Sequence, residues 1–482
     1  MEITISSAIK IKYPTPEVEK WCDEHLMIDN PLYAMYKKQG NDFMIRKFHL
    51  KEKTFLYTRG SGYITLPFGC LRGIWSLIKN STYNLTFNDN PDISLKDEPC
   101  AIEMYDYQIK AIEKMISAKG GVLVSPCGSG KTYMGIEIVR RIHKPFLWLV
   151  HTGDLLRQAQ SDFLELYPNM DIGIISEGDF NVGKDGAIAT VQTLTSIDKK
   201  EYQDLFDVVI CDECAHTAGT PEDTKMFKKI MENIPARYKF GLTATPHRSD
   251  GLIKSMYTII GMSVDGRFKP TYKVPRSAVK TIPAIHSMVM VDLPFDEEKT
   301  TDPNPKDKDE RKINFNKLTK YLVEDDKRNQ IIIDNVIKCA KEGRKQIVLS
   351  KSVEHCKKLH QAFLDAGLDA KITIGATTVK KRKEALLAEN GGDWEVLVAT
   401  YALLKEGVSI KQLDTLHMAT PLVDEAMVEQ CVGRIERYLD NKKQPIAFDY
   451  VDVNSTYCLN RYYKRKKILT DRFNDDDTCE VF

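Results

Sequence analysis

The chain has 482 residues, which is too long for one hydrophobic core, so we expect two to four domains. Its 69 basic and 68 acidic side chains give a formal net charge of +1, so any signal for a polyanionic partner has to be local. No window approaches about 18 consecutive apolar residues, which argues against a membrane span.

The N-terminus has no apolar segment of the kind that directs export. The 11 cysteines are scattered singly along the chain, which favours free thiols in a reducing compartment. We therefore expect a cytoplasmic protein.

Residues 1–98 form one compositional block, in which we expect strands at 55–58 and 62–69. We expect helices there near 15–27 and 72–80.

Within 31–80, nine Lys/Arg stand against two Asp/Glu and are interleaved with aromatic residues. Such a patch can neutralise phosphates and stack on bases, and Arg46, Lys47 and Lys51 are its candidate nucleic-acid contacts. The alternative, in which the aromatics form a core and the lysines a solvated face, stays open.

From about 101 to 270 the sequence alternates short apolar runs with helical stretches, which predicts a parallel α/β sheet. The expected strands are 121–125, 146–150, 172–175, 187–191, 207–212 and 239–245. A second α/β block follows, with expected strands at 346–350, 370–375, 395–400, 415–420 and 445–450.

Residues 297–312 are almost wholly polar and predict a loop or linker excursion between the two α/β blocks. The expected domain organisation is an N-terminal accessory domain, a first α/β domain, a linker, a second α/β domain and a tail, at residues 1–98, 99–270, 271–330, 331–455 and 456–482.

The segment SPCGSGKT, residues 125–132, lies where a strand is expected to meet a helix. Glycines there allow backbone N–H groups to approach phosphate, while a Lys neutralises it and a Thr hydroxyl faces Mg²⁺. The first Gly of the usual pattern is a Ser in this chain. The nucleotide-binding candidates are Ser125, Gly128, Ser129, Gly130, Lys131 and Thr132.

The segment ICDECAH, residues 210–216, admits two interpretations. Cys211, Cys214 and His216 have the spacing of half a zinc site, but the sequence offers no second pair of ligands. Asp212 and Glu213 follow an apolar strand, where the first can bind Mg²⁺ and the second can polarise water. The spacing favours the carboxylate interpretation.

The order of SPCGSGKT, DECAH (212–216) and TAT (243–245) resembles motifs I, II and III of the superfamily 2 helicases and translocases. ATYALLKEGVSI (399–410) and QCVGRIER (430–437) resemble motifs V and VI. In motif V many relatives carry Gly-x-Asp, whereas this chain has Ser in place of the Asp. The resemblance implies two RecA-like domains that clamp ATP and Mg²⁺.

The same resemblance implies roles for individual residues. Arg434 and Arg437 would act as arginine fingers, and Gln108 would read adenine. The catalytic set is Lys131, Asp212, Glu213, His216, Gln430, Arg434 and Arg437, with Gly407 added to the nucleotide-binding set and Thr132 and Asp212 as the Mg²⁺ ligands.

In that family, motifs Ia and Ib contact the nucleic-acid backbone, and here they resemble 149–158 and 189–194. The implied contacts are Thr152, Gly153, Thr190, Gln192 and, in motif V, Thr400. Ordinary helix caps are the alternative for these small polar residues. TPHRSDG (245–251) and DKRN (326–329) resemble the XPB-type and UvsW-type branch, which remodels duplex DNA and includes phage enzymes.

These observations predict an α/β protein with two tandem RecA-like parallel-sheet domains preceded by a small α+β domain. We expect an ATP-dependent helicase or translocase, acting as a monomer on duplex, forked or four-way-junction DNA in a bacterial or phage-infected cell. An RNA helicase, a restriction-system motor and a DNA-binding scaffold without turnover are the alternatives.

Overall fold

A computed structural model describes residues 1–94, 99–219, 225–246, 252–304, 307–375, 394–401, 410–422 and 424–471, without the side chains of 216, 225, 303, 304 and 307–311. The chain divides into two compact units, Met1–Pro275 and Arg276–Phe482. No helix in these ranges is both long enough and apolar enough to cross a bilayer.

The first unit begins with a five-stranded sheet of order β5-β6-β2-β1-β7. The strands are β1 Glu2–Ile5, β2 Ala8–Lys12, β5 Thr58–Gly60, β6 Tyr63–Pro67 and β7 Thr82–Leu85, and only the β1–β7 pair is parallel. Alternation in EITI and AIKIK places isoleucines in the core and polar side chains outside. Two helices, α1 Pro16–His25 and α4 Leu71–Ile78, bury one apolar stripe each.

An insertion follows α1. Strands β3 Met27–Asp29 and β4 Lys53–Phe55 pair antiparallel, and between them lie helices α2 Pro31–Lys38 and α3 Asp42–Lys47. Asn30 and Asn41 cap the two helices by accepting backbone N–H groups. No residue of either helix, all of which the structure describes, is buried.

The predicted α/β sheet of the first unit is confirmed. Its order is β11-β10-β12-β9-β13-β14-β8-β15, and every pair is parallel except β10–β11. The strands are β8 Gly120–Val124, β9 Phe146–Val150, β10 Ile172–Ser176, β11 Asp179–Phe180, β12 Gly186–Thr190, β13 Val208–Cys211, β14 Tyr238–Thr243 and β15 Tyr272–Lys273. The helices are α5 Asp106–Ala118, α6 Lys131–Ile142, α7 Gly153–Leu166, α8 Val191–Ser196, α9 Lys225–Asn233 and α10 Ile253–Ile259.

The N-terminal sheet and the parallel sheet share one continuous hydrophobic core, which runs from Ile3 and Ile78 through Val122 to Met262. Polar contacts reinforce this junction. Arg72 on α4 donates to the carbonyl oxygens of Met262 at 2.6 Å and Gly120 at 3.2 Å.

The second unit contains a six-stranded, wholly parallel sheet of order β16-β23-β22-β19-β21-β20. The strands are β16 Ile285–Val291, β19 Gln346–Ser350, β20 Ala370–Thr373, β21 Val396–Thr400, β22 Thr415–Met418 and β23 Ile446–Asp452. The helices are α11 Phe315–Glu324, α12 Asp326–Lys341, α13 Val353–Asp365, α14 Glu425–Ile435 and α15 Thr456–Asp471.

The expectation of a loop over 297–312 is wrong, because β17 Thr301–Asn304 and β18 Asp307–Ile313 form an antiparallel hairpin there. Backbone pairing holds a hairpin without apolar alternation, so a polar composition does not exclude it. Strand β16 also belongs to the second sheet although it lies within the stretch 271–330, which was expected to be a linker. The expected strand at 55–58 is broken, since β4 ends at Phe55 and β5 begins at Thr58.

Candidate functional site

The segment SPCGSGKT forms the turn between β8 and α6, as predicted. Gly128 and Gly130 have φ angles of 81° and 76°, in the left-handed region that favours glycine. The Ser125 hydroxyl donates to Ser129 Oγ at 2.5 Å, and both side chains are buried. Ser125, which stands where the usual pattern has Gly, therefore fixes the loop from inside.

Gln108 on α5 supports the same loop. Its Nε2 donates to the Ser129 carbonyl oxygen at 2.9 Å, and its Oε1 accepts the Tyr105 N–H at 2.9 Å. A Cβ at Gly130 would lie 2.5 Å from Gln108 Nε2, so the close approach requires glycine there. Gln108, the expected reader of adenine, has both polar atoms bonded within the protein in this structure.

Lys131, the first residue of α6, contacts Glu213 of the predicted Asp-Glu motif. Its Nζ lies 2.7 Å from Glu213 Oε1, and the two side chains are 12% and 24% exposed. Burial disfavours the ammonium, but Glu213, followed by weaker contributions that include Asp212, outweighs it, so the pKa of Lys131 is raised. Thr132 follows and is half-buried.

Asp212 and Glu213 follow strand β13 directly. Asp212 Oδ1 accepts the Glu213 N–H at 2.9 Å, and Glu213 has a left-handed φ of 47°, which is uncommon for a residue with a Cβ. Burial, and then the charge of Glu213, raises the pKa of Asp212 to about 6. The cluster of one ammonium and two carboxylates thus lies at the carboxyl ends of parallel strands, where open α/β sheets bind ligands.

The cysteines of ICDECAH are packing residues. Cys211 and Cys214 are buried, and their sulfur atoms lie 3.9 Å from Met231 Sδ and 3.5 Å from Met256 Sδ. Burial raises the pKa of the Cys211 thiol to about 12. The described residues, which do not include the side chain of His216, contain no group of three His, Cys, Asp or Glu able to hold a metal ion.

Some expected residues of these motifs fall outside the part of the chain that the structure describes. The side chain of His216 lies outside the described residues, as do Gly407 and residues 247–251 of TPHRSDG. The TAT segment, residues 243–245, is described throughout, and the Thr243 carbonyl oxygen accepts the Ser125 N–H at 3.0 Å. Motif III therefore contacts the phosphate loop directly.

The four expected nucleic-acid contacts of motifs Ia and Ib differ in exposure and in their contacts within the protein. Thr152 caps α7 by accepting the Leu155 N–H at 3.3 Å, and Thr190 is buried with its hydroxyl 3.0 Å from Thr193 Oγ1. Gly153 is half-buried and Gln192 is exposed. Thr152 therefore makes the contact that the helix-cap alternative anticipated, whereas the Thr190 hydroxyl contacts another side chain and caps no backbone N–H.

The motif VI residues lie in the second unit. Gln430 and Arg434 are one turn apart on α14, and Arg437 follows the end of that helix. All three are half-buried. Thr400 ends β21 and is buried. These residues are positioned by one helix and one strand end of the second sheet.

Glu436, between the two arginines, was missed by the sequence analysis. Its side chain is buried, and its carboxylate accepts the Ala284 N–H at 2.9 Å and lies 3.5 Å from Arg276 Nη1. Its own carbonyl accepts the Ile282 N–H, and the next residue, Arg437, forms a β-bridge with Thr281. No local pattern distinguishes this Glu from a solvent-exposed one, because its partners are about 150 residues away in the sequence.

Arg46 and Lys47 on α3, and Lys51 after it, are all exposed. The neighbouring aromatics Phe43 and Phe48 are 70% and 52% exposed. The interpretation in which these aromatics form a core is therefore wrong for this part of the N-terminal block.

Two family models match the chain and together cover more than half of it. "Type III restriction enzyme, res subunit" matches residues 101–248, and "Helicase conserved C-terminal domain" matches residues 327–438. The two matches contain the phosphate-loop motif and motif VI, respectively.

Individual relatives agree with these matches. The chain is 24% identical to "Putative helicase 22" of Sulfolobus islandicus filamentous virus, over 91% of this chain and 79% of that protein. It is 24% identical to DNA 3′-5′ translocase XPB2 of Sulfurisphaera tokodaii, over 71% of this chain and 80% of that protein.

Among solved structures, S. cerevisiae Dbp5 bound to RNA and ADP BeF3 is 13% identical, covers 84% of this chain and 92% of its own, and has a TM-score of 0.53. This likeness concerns the fold alone. With the helicase family matches, it confirms the predicted fold class of RecA-like parallel-sheet domains preceded by an α+β region. The chain belongs to the superfamily 2 helicases, near the XPB-like branch, and is an enzyme of this ATP-hydrolysing class.

Proposed function

We propose that the protein is a DNA helicase or translocase that hydrolyses ATP to unwind or remodel duplex or branched DNA in replication, recombination or repair. The observation that carries the proposal is the cluster of Lys131, Asp212 and Glu213 at the carboxyl ends of the first parallel sheet. The relative named as a DNA translocase, matched over 80% of its length, favours DNA as the substrate.

The residues present fit ATP accompanied by Mg²⁺. The glycine turn of the phosphate loop leaves the start of α6 open to an anion, and Lys131 supplies the charge. Asp212 and Thr132 offer the oxygen ligands that Mg²⁺ prefers. When bound there, Mg²⁺ would supply positive charge against the negative charge that develops on the phosphoryl group.

Each side chain then has a defined task. Lys131 leaves Glu213 and binds phosphate, which frees the Glu213 carboxylate to accept a proton from the attacking water. Arg434 and Gln430 on α14, and Arg437 just after it, stabilise the charge on the transferred phosphoryl group. His216 and Gly407 are assigned to catalysis and nucleotide binding by their place in the motifs.

DNA contacts are proposed in two places. Thr152, Gly153, Thr190 and Gln192 in the first unit and Thr400 in the second contact the strand along the motor, with Gly153 acting through its backbone. Arg46, Lys47 and Lys51 contact phosphates from the N-terminal block, since positive side chains there release counterions from DNA on binding.

The test is a comparison of ATPase rates with single-stranded DNA, blunt duplex, fork, four-way junction and RNA, each in Mg²⁺ buffer. We expect the largest stimulation with forked or junction DNA, and loss of turnover without Mg²⁺. Stimulation by RNA alone would overturn the DNA assignment, and ATP binding without turnover on any of these would favour a scaffold. Sedimentation with and without DNA tests the expectation of a monomer.

A further inference from the structure

The insertion of the N-terminal block, which we name the exposed hairpin and define as residues 30–53, has a surface that the motor does not use. It contains α2 and α3, and none of their residues is buried. Helices without a buried side chain contribute little to their own stability, so the order of this segment depends on the helix caps and on the β3–β4 pair at its base.

Large apolar side chains of the exposed hairpin face solvent. Phe43 is 70% exposed, Phe48 is 52% exposed, and Leu32 and Met35 are 43% and 41% exposed. Four exposed large apolar side chains within one short insertion favour a binding surface over chance exposure.

The charge of the exposed hairpin indicates which class of partner it binds. It carries six basic side chains, five of them Lys, against two acidic ones. Among the described residues its one ion pair joins Lys37 to Asp42, at 3.4 Å. Protein interfaces are depleted in Lys, whereas nucleic-acid interfaces are rich in it, so the composition favours nucleic acid over a protein partner.

The aromatic rings of the exposed hairpin favour unpaired bases over an intact duplex. A phenyl ring binds a base by stacking on its face, and in an intact duplex the faces are covered by neighbouring base pairs. Phe48 lies beneath Lys47, whose Nζ is 5.6 Å from the ring centroid, so one ring and one cation stand side by side. A ring beside a positive charge can contact a base and the adjoining phosphate of an unpaired strand.

We propose that the exposed hairpin is a binding site for unpaired bases, in which Phe43 and Phe48 stack on bases while Arg46, Lys47 and Lys51 hold the adjoining phosphates. This inference rests on the proposed DNA function and extends it, because it specifies a single-stranded segment outside the motor. The preferred substrate is then a fork or a gapped junction rather than a blunt duplex.

The hairpin is anchored to the first unit through the N-terminal sheet. Asn88 donates to the carbonyl oxygens of Gln203 at 2.8 Å and Phe206 at 2.9 Å, in addition to the contacts of Arg72 and the shared core. A strand held by the hairpin therefore moves with the first parallel sheet during the ATPase cycle.

The experiment measures the affinity of full-length protein for fluorescently labelled oligo-dT, a fork and a blunt duplex by anisotropy, over a series of salt concentrations. For the double variant Phe43→Ala/Phe48→Ala we expect oligo-dT affinity to fall on the order of 10- to 100-fold. Blunt-duplex affinity and the slope of log Kd against log salt should stay unchanged. Phe180→Ala, a partly exposed Phe on β11, is the matched control.

Two further variants separate stacking from charge and from general damage. Phe43→Trp/Phe48→Trp keeps the aromatic faces and should restore oligo-dT binding. Arg46→Ala/Lys47→Ala should weaken all three ligands and reduce the salt slope by about one unit per lost contact.

Unchanged oligo-dT affinity in the double Ala variant would overturn the stacking site, as would an equal loss on blunt duplex. The two proposals fail separately. If DNA does not stimulate the ATPase of the unaltered protein, the proposed function is wrong whatever the hairpin binds. If stimulation persists but the double Ala variant binds oligo-dT normally, only this inference is wrong.

Discussion

The substitution Glu213→Gln tests the catalytic assignment and the Lys131–Glu213 pair together. Glutamine has nearly the shape of glutamate but cannot take a proton from water at neutral pH. We expect turnover to fall by about 10² to 10⁴, the usual contribution of a general base. We also expect the substitution to change the affinity for ATP.

ATP affinity should increase in this variant. Lys131 Nζ lies 2.7 Å from Glu213 Oε1, with both side chains largely shielded from water. A charge-assisted hydrogen bond of this kind contributes about 1.5–3 kcal/mol, and it has to be given up when Lys131 moves to phosphate. Because glutamine still offers a neutral acceptor, only part of that free energy is recovered, and we expect ATP to bind about 10-fold more tightly.

The assay pairs steady-state DNA-stimulated ATPase with equilibrium binding of a fluorescent ATP analogue in Mg²⁺ buffer. Glu113→Gln, at an exposed position on α5, is the matched control and should change neither quantity. Turnover that survives Glu213→Gln would refute the assignment of the base. Loss of turnover with unchanged or weaker nucleotide binding would show that the ion pair does not compete with phosphate.

Three other predictions use the buried ionisable groups. The pKa of Asp212 is raised to about 6 by burial and by Glu213. Mg²⁺-ATP affinity should therefore fall by up to about 10-fold per pH unit below pH 6. An affinity that stays constant from pH 5 to 7 would contradict this. Burial lowers the pKa of Lys239 to about 7, so between pH 7 and 10.5 the unfolded chain holds a proton that the folded protein has lost. The free energy of unfolding should therefore rise across that window by up to about 1.4 kcal/mol per pH unit. Lys239→Met should remove this slope in denaturant titrations. Glu436→Leu leaves the partly buried N–H of Ala284 without its acceptor and should cost about 1–3 kcal/mol of stability, whereas Glu436→Gln should cost less. Equal losses would show that the acceptor is not what matters.

Most strands of the two parallel sheets could be predicted from the sequence to within one or two residues, but β11, β15 and β16 were not predicted. Strands such as Phe146–Val150 and Gln346–Ser350 are buried on both faces and so appear as short unbroken apolar runs. The hairpin at 301–313 could not be predicted, because its pairing is between backbone groups and its sequence is polar.

The site was predictable in its motif residues but not in their contacts. The phosphate loop and the two carboxylates have short local patterns, whereas the Lys131–Glu213 pair joins positions 82 apart and depends on how the strands are ordered. Gln108 was expected to read the adenine of ATP, and the contact that the structure shows for it is with the phosphate loop, at the Ser129 carbonyl oxygen. The sequence left the exposure of Phe43 and Phe48 open between two interpretations, since aromatic residues in an alternating block usually form the core, and the structure decides for exposure.

The shared core of the first unit determines how the role of the N-terminal block has to be tested. Ile3, Ile64 and Ile74 belong to the same cluster as Val122 and Met262, and a Cβ at Gly69 would lie 2.5 Å from the Tyr257 and Thr258 carbonyl oxygens. Removing residues 1–98 would therefore expose part of the core of the motor sheet itself. Loss of DNA binding in such a truncation would report damage to the motor, and only surface substitutions such as those at Phe43 and Phe48 can separate DNA contact from folding.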